Sequence, residues 1–301
     1  MNERDSMTRN LWSIILFCLL VSSVFAKPAS PITVSRPRGK RPQRRQPKPA
    51  PKFIVIDKTV KPLKVKMVLV PKGPFWCGSN WADAMVGPRH KRELPAYYID
   101  VHEVTNKQWA RFVDAHGITP PDYWMNDKQP DNFMSLPVVN VSWYEAQAFA
   151  KWAGKRLPTE FEWEKAARGP NGNIFPWGHL YEKDLANTFL TEKYQPTPVG
   201  SFPEGKSPYG CHDMLGNALE WTASSFSLYP KTRFLPQKIV PNLRILRGVS
   251  WRYEPRPLFN RYPAPAHWQR WNHDRYRPRK GKPATMGVIG FRCAKDVPKD
   301  I

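Results

Sequence analysis

Between Val65 and Val70 the chain is almost wholly apolar, and it then breaks at Pro71-Lys72-Gly73-Pro74 before Phe75-Trp76-Cys77. An apolar run of that length closed by proline and glycine predicts a strand, a turn and a second strand. Tyr97–Val101 predicts another. The period then lengthens to that of a helix. Thr105 is an N-cap ahead of a face made by Trp109, Phe112 and Val113, and Gly117 supplies the stop. Ser142 with Glu145 three residues on forms a capping box before the stripe Ala146, Phe149, Ala150 and Ala153, closed by Gly154. Thr159 and Glu162 repeat the box, and Gly169 closes the third helix. Beyond Gly169 the periodicity dissolves into Pro, Gly and Trp, until two strand-like runs, Arg244–Trp251 and Val288–Ala294, end the pattern. Early helices, short scattered strands and long loops make an α+β protein low in regular structure.

The N-terminal part has a different texture. Leu11–Ala26 is an apolar run of 16 residues ending Val24-Phe25-Ala26. It is short for a membrane span and reads as an export signal over residues 1–26, with an uncleaved anchor as the alternative. Residues 27–62 hold eight prolines and lack the apolar side chains to build a core, so they read as a stiff linker. The folded domain is placed at 63–298.

Charge sharpens this division. The formal net charge is +22 in 301 residues. Lys27–Lys66 contributes net +12 and Arg252–Lys282 net +7, so 19 of the 22 lie in two zones and the rest is near balance. Such zones favour acidic partners: an acidic or glycan ligand of the cell envelope, an envelope protein, or an anionic membrane surface met by the linker. A nucleic-acid-binding domain is disfavoured by the confinement of the charge and by the export signal.

Candidate chemistry is concentrated in two stretches. In Asp213–Trp221 two carboxylates, Asp213 and Glu220, bracket a Gly-Asn turn. The carbonyls of Gly216 and Ala218 can face the same point, and such hard oxygen donors suit calcium. In 247–261 arginines and aromatics crowd together with one carboxylate, Glu254, and no cysteine or histidine. Ser250, Arg252, Tyr253, Arg256 and Arg261, with Trp268, Arg270 and Trp271 beyond, form a candidate ligand-binding cleft. Arginine forks take carboxylates or phosphates, and the rings stack on sugars or cations. The seven histidines show no metal-binding spacing. Cys77, Cys211 and Cys293 read as small buried hydrophobes, with one disulfide plus a free thiol as the alternative.

Nine blocks, taken in order, resemble the sulfatase-modifying-factor, or formylglycine-generating enzyme, family. They are Met67–Ser79, Asp100–Asn106, Pro137–Trp143, Lys155–Gly169, Phe175–Gly178, Pro198–Pro203, Asp213–Trp221, Arg247–Trp251 and Gly290–Cys293. The resemblance implies a variant C-type-lectin-like fold stabilised by calcium. It assigns one calcium to Asp213, Gly216, Ala218 and Glu220, and a second to Asn187 and Thr188, although the acid that should complete the second is missing unless Glu192 substitutes. It also implies where copper would bind in the catalytic members: two cysteines after the Gly-Gly-Ser-Trp element. Those positions fall at about Tyr253 and Leu258 here, and neither side chain offers the thiolate that Cu(I) requires. Cys293 matches a family cysteine whose usual disulfide partner position is Ala167. The expectation is therefore an exported, periplasmic or envelope protein without copper and without formylglycine-generating activity, working as a binding or assembly module. The alternative is an envelope modifying enzyme or oxidoreductase with a non-copper mechanism, using Glu254.

Overall fold

The computed structural model describes residues 57–80, 86–121, 123–124, 131–232, 243–258, 260–266 and 287–298. The chain divides into two units, Met1–Pro49 and Ala50–Ile301. The first unit lies outside the described residues, as do the export signal and most of the linker. The end of the expected linker does not stand apart. The Asp57 N–H donates to the Ala115 carbonyl at 3.1 Å, and Arg111 Nε donates to the Lys61 carbonyl, so the second unit takes in residues upstream of Leu63.

Strands β1 (Met67–Val70) and β4 (Tyr97–Asp100) pair antiparallel, and β9 (Ala294–Asp296) adds to the far side of β4. Strands β2 (Gly73–Cys77) and β3 (His90–Leu94) form a hairpin. A four-stranded sheet runs in the order β7-β6-β5-β8, from Tyr262–Pro265, Leu243–Arg247, Leu219–Ser225 and Ile289–Gly290, with β5 and β8 parallel. The expected strand at Val288–Ala294 is thus split between two sheets, with Phe291-Arg292-Cys293 as the crossing.

The three expected helices form: α1 (Asn106–His116), α2 (Trp143–Trp152) and α3 (Glu160–Arg168). Each N-cap hydroxyl accepts from the backbone N–H three residues on, and each box is closed by the side chain at that third position: Gln108, Glu145 and Glu162. Gly117 takes the left-handed conformation, φ 57°, that ends α1. Helices α1 and α2 pack on β5 and β8 through Trp109, Phe112, Phe149 and Phe291; Trp109 stacks on Phe149 at 5.6 Å. Helix α3 packs through Trp163, Ala166 and Ala167 into a second cluster with Tyr97, Met214 and Leu258. Cys77, Cys211 and Cys293 are buried and free, which agrees with reading them as small hydrophobes. No described helix is long and apolar enough to cross a membrane.

Candidate functional site

The acidic block is organised by one arginine. Arg292, fully buried, uses all five of its N–H groups. Nε and Nη2 reach the two oxygens of Glu220 at 2.8 and 2.7 Å; Nη1 donates to the carbonyls of Asp100 and Val101, and Nη2 also to that of His212. Trp163 Nε1 donates to Glu220 at 2.9 Å. The α3 face, the loop after β4 and the first residues of β5 therefore meet at one carboxylate.

The loop leading to Glu220 is shaped by left-handed residues: Asp213 at φ 56°, Gly216 at 90° and Asn217 at 59°. Gly216 is required there twice over, because a Cβ would also lie 2.4 Å from the Asn187 carbonyl oxygen. Asp213 accepts the Gly200 N–H at 2.7 Å, and burial raises its carboxyl above the ordinary aspartate range. The carbonyls of Gly216 and Ala218 take part in none of the backbone hydrogen bonds of the turns and loops. Nearby, Glu103 is 1% exposed, and neither carboxylate oxygen has a hydrogen-bond partner. Burial, and next the charge of Asp213, push its carboxyl well above the usual range. Asp213 with one donor and Glu103 with none are buried carboxylates of the kind a hard divalent cation satisfies, whereas Glu220 is already held by Arg292 and Trp163. Among the described residues no three His, Cys, Asp or Glu side chains converge as a ligand set.

The Asn187–Thr188 pair is differently placed. Asn187 Oδ1 is buried and unpartnered, as a ligand atom would be. The Thr188 carbonyl, however, already accepts from both the N–H and the hydroxyl of Thr191, at 3.0 and 2.7 Å, which uses its two lone pairs. Glu192, the substitute acid, is exposed at φ 58°. These residues do not fit the second calcium site.

The stretch 247–261 separates into an inner and an outer part. Arg247 and Arg261 point inward. Arg261 closes on Glu160 with Nε and Nη2 at 2.6 and 2.7 Å and is 2% exposed; Arg247 bridges Glu160 and Glu164 at 3.1 and 2.8 Å. Arg261 is thus removed from the proposed cleft, because its guanidinium neutralises a buried carboxylate. Ser250 is also fully buried, its oxygen accepting the Arg252 N–H. The outer part keeps Arg252, set over the Trp251 ring at 4.7 Å, half-buried Tyr253, and exposed Glu254 and Arg256. Trp268, Arg270 and Trp271 lie outside the described residues. Sequence reasoning missed the apolar group that the fold brings alongside. Phe189 donates its N–H to the Tyr253 carbonyl at 3.0 Å and packs edge-on against Tyr194, which is 60% exposed; Leu190 and Phe189 are exposed as well. The available signal was weak, a Phe-Leu…Tyr group in a short basic loop.

Residues 52–297 match the sulfatase-modifying factor enzyme 1-like domain. The chain belongs to the FGE-sulfatase family. The FGE-sulfatase domain is 34% identical over 249 residues to hercynine oxygenase of Mycolicibacterium smegmatis, covering 66% of this chain and 58% of that protein. It is 33% identical to serine/threonine-protein kinase Pkn1 of Chlamydia trachomatis, covering 78% of this chain and 39% of the kinase. It is 31% identical to the inactive C-alpha-formylglycine-generating enzyme 2 of Mus musculus, covering 62% and 74%. The chain thus spans 58% and 39% of the length of the first two relatives. The structure of PvdO from Pseudomonas aeruginosa superposes with a TM-score of 0.58 at 24% identity, over 77% of this chain and 95% of that one, which establishes the shared fold. The variant C-type-lectin-like architecture expected from the sequence is the one observed.

Within the FGE-sulfatase domain the expected copper positions do not fit copper. Leu258 is buried in the second core cluster, with its N–H on the Ile174 carbonyl, and Tyr253 packs partly against both clusters. The three described thiols are buried elsewhere. Burial pushes Cys211 up to about 11 and Cys293 well above the usual thiol range, the reverse of what a thiolate ligand needs.

Proposed function

We propose that this FGE-sulfatase domain is an exported binding module that recognises an acidic glycan or envelope partner and does not generate formylglycine. The observation that carries this reading is the filling of the two thiolate positions by Tyr253 and Leu258, on a loop whose outer side chains are Arg252, Tyr253 and Arg256. Arg252 stacks on Trp251 and Arg256 is exposed beside it, and Tyr253 with Phe189 and Tyr194 offers faces on which sugar rings stack. A relative whose name declares it inactive supports a non-catalytic use of the fold. The apolar run Leu11–Ala26 and the basic residues after it support export and attraction to an anionic envelope surface. Calcium, held by Asp213, Glu220 and the carbonyls of Gly216 and Ala218, would fix the loop that joins β5 to the core.

The test is cosedimentation of the purified full chain with isolated peptidoglycan sacculi and with a soluble polyuronate as competitor. The wild type is expected to bind and to be displaced by the polyuronate. The Arg252→Ala/Arg256→Ala variant should bind about tenfold more weakly, a loss of about 1.4 kcal/mol. Equal binding by the two proteins, or none by either, overturns the reading.

A further inference from the structure

Sugar stacking accounts for aromatic rings and leaves two leucines unexplained. Among the described residues seven large hydrophobic side chains are exposed, and four of them, Leu180, Phe189, Leu190 and Tyr194, fall within one short stretch. Leu180, 79% exposed, is the most exposed of the seven. A leucine offers no flat face to a sugar ring, and a cluster of apolar side chains held in water is the mark of a surface that another apolar surface covers. The fold gathers this cluster and fixes it. Trp177 Nε1 donates to the Leu180 carbonyl at 2.9 Å, and the hydroxyls of Tyr181 and Thr188 are hydrogen-bonded at 2.9 Å, which joins the Leu180 turn to the next one. There the single 3₁₀ turn Phe189–Thr191 is closed by the Thr191 hydroxyl, which accepts the Thr188 N–H and donates to the Thr188 carbonyl, both at 2.7 Å. Phe189 then packs edge-on against Tyr194, with ring centres 6.1 Å apart. The turns are already ordered, so covering them costs little conformational entropy.

Charge decides what covers them. The exposed charged residues of the stretch are Glu182, Lys183, Asp184, Glu192 and Lys193, three acids against two bases in a chain of net +22. An anionic lipid surface laid over this stretch would meet those carboxylates. A second copy of this basic chain would not be repelled there as it would be elsewhere. The signs also alternate, acid-base-acid at 182–184 and acid-base at 192–193, so the rim can pair with itself across a two-fold axis. We infer that Leu180, Phe189, Leu190 and Tyr194 form a self-association face, covered by the same face of a second copy of this chain. Its apolar part is roughly 400 Å² on each copy. With the rim added, the pair falls at the low end of specific interfaces, about 1,200 Å² in total. Pairing is therefore weak and reversible. It goes beyond the glycan reading and does not rest on it.

The test is sedimentation velocity over a concentration series of the purified full chain, in three forms: wild type, Leu180→Ser/Leu190→Ser, and Leu69→Ser. Phe189 and Tyr194, which the glycan reading also uses, are left unchanged. The wild type is expected to dimerise with a Kd of about 10–100 µM. Leu180→Ser/Leu190→Ser alters exposed positions only and should weaken pairing at least about tenfold, with its melting temperature unchanged. Leu69, 49% exposed in β1 and outside the face, is the control, and Leu69→Ser should pair as the wild type does. A wild type that stays monomeric, or pairing untouched by Leu180→Ser/Leu190→Ser, overturns the inference. So does a monomeric wild type that binds phosphatidylglycerol vesicles through the two leucines, which would give the face to lipid. If that monomer still binds sacculi, the pairing alone falls and the glycan reading stands.

Discussion

Arg292 and Glu220, 72 residues apart, face each other in a buried two-pronged pair, Nε to Oε2 at 2.8 Å and Nη2 to Oε1 at 2.7 Å. Arg292 stands in the link between β8 and β9 and Glu220 in β5, so the pair fastens the two sheets that these strands belong to. Removing one partner leaves a buried charge uncompensated, which costs about 3–5 kcal/mol. Arg292→Met is expected to lower stability by that amount in urea unfolding. Arg292→Lys should recover only part of it, because an ammonium cannot form the parallel fork. A loss below about 1 kcal/mol in Arg292→Met would mean that the pair contributes no more than a surface contact.

The same pair dictates how calcium should be tested. Substituting Glu220 would break the Arg292 contact as well as the proposed cation site, so its loss of stability would be ambiguous. Asp213 makes one hydrogen bond, from Gly200, and is the cleaner probe. A chelator should lower the melting temperature of the wild type and barely move that of Asp213→Asn. Equal shifts in the two proteins would remove calcium from this site.

Local signals were readable and distant ones were not. Thr105, Ser142 and Thr159 announce their helices because a cap and its box partner lie three residues apart. Strand β3, His-Lys-Arg-Glu-Leu, has no such signature: it is a polar edge that becomes a strand by pairing with Gly73–Cys77. Strand β7, Tyr-Pro-Ala-Pro, looks unsuited to a sheet, yet it sits at an edge where proline is tolerated. The acidic block was legible as a turn bracketed by two carboxylates, but the arginine that pairs with Glu220 comes from 72 residues away in the chain. Arg261 was misplaced for the same reason. Nothing near it reveals that its partner is Glu160, 101 residues away, so an inward ion pair resembled a surface arginine.

That distinction has a direct consequence. Arg261→Ala should destabilise the fold by about 3–5 kcal/mol, since it strips buried Glu160 of its two-pronged partner and leaves it only the longer Arg247 contact. Arg252→Ala should change stability by no more than about 0.5 kcal/mol and act on binding alone. Denaturation midpoints of the two variants would separate the inner arginine from the outer one. Similar midpoints would return Arg261 to the surface.

The purified protein should leave a sulfatase-motif peptide unchanged in the presence of copper and oxygen, because Tyr253 and Leu258 cannot form a bis-thiolate Cu(I) site. Mass spectrometry of the peptide reports this directly. Conversion of its cysteine to the aldehyde, abolished by a copper chelator, would overturn the non-catalytic reading.

The final prediction concerns acid. Glu164 is fully buried between Arg168 and Arg247 and accepts the Gly78 N–H at 2.7 Å. Burial alone would raise its carboxyl, but the Arg247 and Arg168 charges and the Gly78 N–H outweigh it and hold the group below the ordinary value near 4.5. A carboxyl depressed on folding stabilises above its unfolded pKa, and that contribution is lost as pH falls through the lower folded value. The wild type should therefore lose stability progressively below about pH 4.5. Glu164→Gln, which keeps the volume but takes the carboxylate from buried Arg168 and leaves Arg247 only Glu160, should be less stable by about 3–5 kcal/mol at pH 7. The gap between the two proteins should narrow as the wild-type carboxylate takes up its proton. Stability curves measured from pH 7 to pH 3 test this, and a gap that stays constant across that range would show that Glu164 is not the titrating group.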